Sequence, residues 1–142
     1  GDYVVEVTSN VEDLWSIDAN ITLAGDMVNE FSKGSRYRPR MKDMRVVFED
    51  ESLNARVEQY CGRLGMSADQ IRAAQLEKLR YMGEVYGIEF DEYVIDPYTE
   101  FLAGKSTLVV TAKPTEPVSL SQITLYKPSD VPALLDLSAE AL

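Results

Sequence analysis

The hydrophobic period of this chain changes twice, and that limits the folds open to it. From Trp15 to Leu23 apolar residues recur at every second position. Trp15, Ile17, Ala19, Ile21 and Leu23 fall on one side, and Ser16, Asp18, Asn20 and Thr22 on the other. One apolar row and one polar row describe an antiparallel sheet covered on one face and wet on the other. The opening segment places Tyr3, Val5 and Val7 together in the same way, and Asn10 to Asp13 is short enough to close a hairpin. A third strand through "MKDMRVVFED" aligns Met44, Val46 and Phe48.

The period then becomes 3.6. Leu53, Val57, Tyr60 and Leu64 form a helical stripe, preceded by the capping residues Asp50 and Ser52 and closed by Gly65. Ser67 three residues before Gln70 is a capping box for a second helix. Its stripe is Ile71, Leu79, Met82, Val85 and Tyr86, with Gln75 among them, and Gly87 ends it. The short join makes the two an αα-hairpin. A third helical region follows, broken at Pro97. Its firmer half has Asp96 as N-cap, Pro97 as first residue and Gly104 past the end.

After Gly104 the alternation returns, with Leu108, Val110 and Ala112 opposed to Thr107, Val109, Thr111 and Lys113. Pro114 and Pro117 lack the N–H a central ladder needs, so they end this strand or make it an edge. "SQITLYK" reads as another short strand, Ser129 caps a helix from Val131 to Leu135, and "LSAEAL" begins a final strand. The order predicts an α+β fold in one domain over residues 1–142. A mostly antiparallel sheet of about five or six strands carries a helical insertion at about 51–104. That insertion, the αα-hairpin and the Pro-broken third helix, packs on one face. The chain opens at Gly1 directly into a strand pattern, which reads as a domain excised from a longer protein.

Composition removes several chemistries. His is absent and Cys61 is the single cysteine, so the commonest base, the commonest metal ligand and any disulfide framework are missing together. Cys61 is then a small buried hydrophobe, and Trp15 a core anchor. The net charge of −10 argues against nucleic acid, whose phosphates the whole field would repel. That charge is uneven. Residues 1–32 hold seven acids and no base, whereas Lys33, Arg36, Arg38, Arg40, Lys42 and Arg45 are opposed only by Asp43.

Those basic residues, with Tyr37 as a stacking face, are a candidate anion or partner site: Lys33, Arg36, Tyr37, Arg38, Arg40, Lys42 and Arg45. The plainer account is a solvated loop offsetting the acidic strands. The acids Glu89, Asp91, Glu92, Asp96 and Glu100 offer paired carboxylates for a hydrolase, which would need a cleft that separates their pKa values. Solvated charge is the plainer account there too. No phosphate-cradling glycine loop, nucleophile elbow or zinc-helix motif occurs, so no cofactor, metal or catalytic residue is assigned.

At "MRVVFEDESLNARV", and again at "FLAGKSTLVVTAKPTEPVSL" with "YKPSDVPALLDLSAEA", the chain resembles uncharacterised proteobacterial cell-envelope proteins of AsmA-like or YdgA-like β-rich architecture. The matching positions are Asp50 to Leu53, Leu108 to Val118 and Val131 to Leu137. The resemblance implies a periplasmic, membrane-anchored parent whose sheet binds lipid or protein, and it supplies no functional residues. The expected function is therefore a non-enzymatic binding or scaffolding module. An anion- or nucleic-acid-binding module and a carboxylate hydrolase are the alternatives.

Overall fold

Residues 1–25 and 39–142 are described by a computed structural model. Strands β1 (Tyr3–Val11), β2 (Trp15–Ala24) and β3 (Arg40–Asp50) come first. Helices α1 (Leu53–Arg63), α2 (Ala68–Tyr86) and α3 (Glu92–Leu102) follow. The chain then adds β4 (Thr107–Ala112), β5 (Val118–Ser119), α4 (Val131–Leu134) and β6 (Leu137–Ala141). These build the expected α+β architecture, an antiparallel sheet in the order β1-β2-β3-β4-β6 with β5 also on β3.

The alternation read from the sequence holds across the sheet. Tyr3 pairs with Leu23, Ile21 with Met44, Met44 with Ala112 and Ala112 with Leu137, so one apolar face runs through five strands. At Thr22/Leu23 the register slips. Thr22 pairs with Asp43 and Leu23 with Met41, leaving Lys42 as a bulged extra residue. Strict alternation down β3 would aim Met41 at the wet face; the bulge returns it to the core. Leu23, Met41 and Ala112 are the buried centre, packed by Tyr3, Ile21, Met44, Leu120, Leu135 and Leu137.

The prolines mark an interruption of one ladder. β4 pairs with β3 as far as Met44–Ala112, and pairing resumes on the same side at Met41–Val118 and Arg40–Ser119. Pro114 to Pro117 is the excursion between these two stretches, across β3 from the bulge in its ladder with β2. Missing N–H groups do least harm where the ladder is already broken.

Helix α3 lies over β6 and β4 and buries Ile95, Phe101 and Leu102. Phe101 meets Phe48 edge-on, with centroids 5.5 Å apart and planes at 79°. Phe48 in turn stacks on Trp15 at 6.1 Å. This aromatic row anchors the helical layer on one side of the sheet, the geometry aromatic quadrupoles favour. Trp15 is half-buried as that row's outer member.

Five local expectations are corrected. The third helix is not broken at Pro97: α3 runs continuously from an Asp91 N-cap, with Pro97 inside it. One ladder bond is lost, but the buried residues on both sides of Pro97 hold the halves together. In α1 the inward residues are Leu53, Val57 and Cys61, each half-buried, while Tyr60 and Leu64 are exposed. In α2 the inward row is Ile71, Gln75, Leu79 and Gly83, at steps of four, which leaves Met82, Val85 and Tyr86 exposed. Leu53 and Val57, and Ile71, Gln75 and Leu79, stand on the expected stripes; each stripe departs only at its C-terminal end, where large apolar residues flank a row that ends in a small one. The segment "SQITLYK" contains a 3₁₀ turn at Ile123–Leu125, with the short strand β5 just before it. The first hairpin closes through Glu12 to Leu14, one residue later than expected, with Asp13 at φ 62°.

The capping box is present as expected: Ser67 Oγ accepts from Gln70 N–H, and Gln70 Oε1 accepts from Ser67 N–H. At the far end Gly87 is left-handed and Ile88 N–H donates to Gly83 O at 2.7 Å, a Schellman-type end.

Candidate binding surface

The sheet's apolar face is open at its β1 end. Val5, Val7 and Val11 carry the apolar row out onto β1, yet they are 39%, 52% and 41% exposed. On the opposite face Val4 is 55% exposed. From Val4 to Val11 every residue of β1 is exposed, and among the described residues no strand pairs with its outer edge. Soluble proteins usually blunt such an edge with lysine, proline or a bulge, because its unpaired N–H and C=O groups template another strand. β1 has none of these devices.

The hairpin that presents this edge is acidic. Asp2, Glu6, Glu12, Asp13 and Asp18 are all exposed, and residues 1–25 contain no lysine or arginine. Among the described residues a cation from β3 reaches it: Lys42 Nζ donates to Asp2 Oδ2 at 2.5 Å. That hydrogen bond, and then the charge behind it, holds Asp2 below the usual carboxylate range and Lys42 above the usual ammonium range.

Of the predicted basic set, Arg40, Lys42 and Arg45 stand on β3, with Lys42 committed to Asp2. Lys33, Arg36, Tyr37 and Arg38 lie outside the described residues. The acids Glu89, Asp91, Glu92, Asp96 and Glu100 are all exposed. Glu89 and Asp91 border an open cleft of about 490 Å³ with Ser129 and Asp136. Among the described residues no group of three or more His, Cys, Asp or Glu side chains could hold a metal. Asp50 serves the start of α1, where its carboxylate accepts from Asn54 N–H at 3.3 Å. Ser52 Oγ donates to Asp13 O and ties that helix start to the β1–β2 turn.

A second concavity, about 390 Å³, opens between the helices and the sheet and is lined by Phe48, Leu53, Val57, Gln75, Tyr98 and Leu108, among others. Burial pushes the Tyr98 hydroxyl above its usual pKa. Among the described residues no charged side chain lines it.

Alternation places Tyr3, Val5 and Val7 on one face of β1 without showing that this face is open. The available signal was Val4. Adjacent valines put apolar groups on both faces of one strand, which suits an edge awaiting a neighbour better than a half-wet sheet.

A family model described as "Uncharacterized protein" matches residues 8–142, and the chain belongs to that family. The description makes no reference to AsmA-like or YdgA-like proteins. No curated protein and no solved structure matches the chain. No helix among the described residues is long and apolar enough to cross a membrane.

Proposed function

We propose that this chain is a non-enzymatic binding or scaffolding module of a bacterial cell-envelope protein, and that it engages a protein partner through the β1–β2 half of its sheet. The single observation that carries this reading is the exposure of Val4, Val5, Val7 and Val11 along one strand whose outer edge pairs with no strand among the described residues. Exposed apolar side chains on both faces of an edge strand favour burial against a partner. The envelope placement rests on the sequence resemblance. A protein partner is favoured over a lipid surface because the hairpin's five acids, without a base among them, repel anionic headgroups.

Site-specific photo-crosslinking in cells tests it. A photoreactive phenylalanine analogue in place of Val7 should give a heterotypic adduct in the envelope fraction, and the same group at the exposed Glu77 of α2 should give none. Adducts equally at both positions, adducts only of dimer mass, or none at Val7 would overturn the reading.

A further inference from the structure

The β1 edge has features that specify the chemistry of what covers it. The inference rests on the proposal that the β1–β2 half of the sheet is the binding surface, and it names the occupant. Val5, Val7 and Val11 stand on the apolar side of β1; Val4, Glu6, Thr8 and Asn10 stand on the other. Glu6 pairs with Asn20 and Thr8 with Asp18, so the wet side beside the edge carries carboxylates and no cation within the hairpin. Asp2 lies just before β1, and Glu12 and Asp13 just after it.

A strand added here is read at period two. Its residues over the apolar side meet Val5, Val7, Ser9 and Val11, and its residues over the other side meet Val4, Glu6, Thr8 and Asn10, with Asp18 beside Thr8 and further acids at both ends of the strand. We propose that β1 accepts an extended segment of a partner protein whose residues alternate between apolar and basic, by β-strand addition to its outer edge. Main-chain hydrogen bonds supply affinity along the strand, and the alternation supplies register and specificity.

A second copy of this chain fits poorly. Antiparallel self-pairing of β1 about Val7 would set Asp2 opposite Glu12 at both ends, and parallel pairing would set Glu6 beside Glu6. Like charges directly across a ladder destabilise it, and a net charge of −10 on each chain opposes the encounter.

The test uses the intact chain and labelled octapeptides, read by fluorescence anisotropy. The peptides are an alternating Val-Lys repeat, the matching Val-Glu repeat, and a block peptide of four valines then four lysines. Two forms of the Val-Lys repeat, N-methylated on its valines or on its lysines, complete the set. A strand bonds its neighbour through alternate residues only. One methylated form should therefore keep its affinity while the other loses it. The Val-Lys repeat should bind at least roughly tenfold more tightly than the Val-Glu repeat or the block peptide, and less tightly as salt rises.

Equal binding of the block peptide would mean diffuse charge attraction and would overturn the proposal. So would equal retention or equal loss by the two methylated forms, no binding by the Val-Lys repeat, or concentration-dependent dimerisation without peptide. The two levels separate cleanly. A heterotypic adduct at Val7 with no peptide binding sinks strand addition and leaves the binding surface standing, whereas absence of that adduct sinks the surface itself.

Discussion

Leu23 stands opposite Met41 across the β2–β3 ladder, out of step with the neighbouring Thr22–Asp43 pair. The slip places Met41 in the buried centre at 3% exposure, beside Leu23 and Ala112. Replacing it by alanine removes most of a buried side chain where the bulge has fixed the backbone. Met41→Ala should lower stability by about 2–5 kcal/mol, the usual range for such truncations. Urea denaturation of the variant against the parent checks this. A loss well below that range would mean that the core around Leu23 can collapse onto the vacancy.

Two helical glycines should respond in opposite directions to the same substitution. A Cβ on Gly83 would stand 2.5 Å from Ile88 O and 3.0 Å from the Phe90 ring, because the chain folds back over the end of α2. Gly62 on α1 has nothing within 4 Å of that position. Gly62→Ala should stabilise by up to about 1 kcal/mol, the helix-propensity gain. Gly83→Ala should destabilise by about 1–3 kcal/mol, since overpacking against a backbone carbonyl outweighs that gain. Paired thermal melts decide it: the two midpoints should move apart.

The Asp2–Lys42 pair is exposed, so its signature is a titration and not a change in melting. Asp2 is lowered in the folded state, so its contribution is present above the unfolded carboxylate value and fades as pH falls through the folded one. Lys42 is raised, so its contribution is present below the unfolded ammonium value and fades as pH rises through the folded one. Between those limits both are charged. Lys42→Met should return the Asp2 carboxyl towards its ordinary range in an NMR titration, with no measurable change in the urea midpoint, since exposed pairs are strongly screened. An unmoved Asp2 titration would show that the pair does not form in solution.

What the sequence made legible followed from period. The apolar rows of β2, β3 and β4, the capping box at Ser67 and Gln70, and the order strands–helices–strands each rest on a local pattern that packing does not override, although Val109 in the opposed row of β4 is buried as well. Other features required knowledge of the partner element. Strict alternation would aim Met41 at the wet face, and the bulge that redirects it carries no strong sequence mark. Tyr60 and Leu64 look inward by size, but the inward row runs through Val57 and Cys61. Pro97 looked like a boundary because its lost hydrogen bond is local, whereas the burial of Ile95, Phe101 and Leu102 that offsets it is tertiary. The β1 surface was hidden for a related reason. Alternation shows which residues share a face, and only the position of α3 over β4 and β6 shows how far along the sheet that face is covered.

The exposed and buried valines of the sheet should therefore separate function from folding. Val7 is 52% exposed on β1, while Val109 on β4 is 6% exposed, between Val47 and Glu140 in the ladder. Val7→Lys removes little buried surface and should change stability by no more than about 0.5 kcal/mol. Val109→Ala exchanges a buried side chain for a void and should cost about 1.5–3 kcal/mol. Partner binding should show the reverse order. With the photoreactive group moved to Val5, the heterotypic adduct should disappear in Val7→Lys and persist in Val109→Ala at temperatures where that variant stays folded. Circular dichroism melts and adduct yields measured on the same preparations give both readouts. If Val7→Lys melted as early as Val109→Ala, β1 would be part of the fold's stabilising core and not a surface held open for another chain.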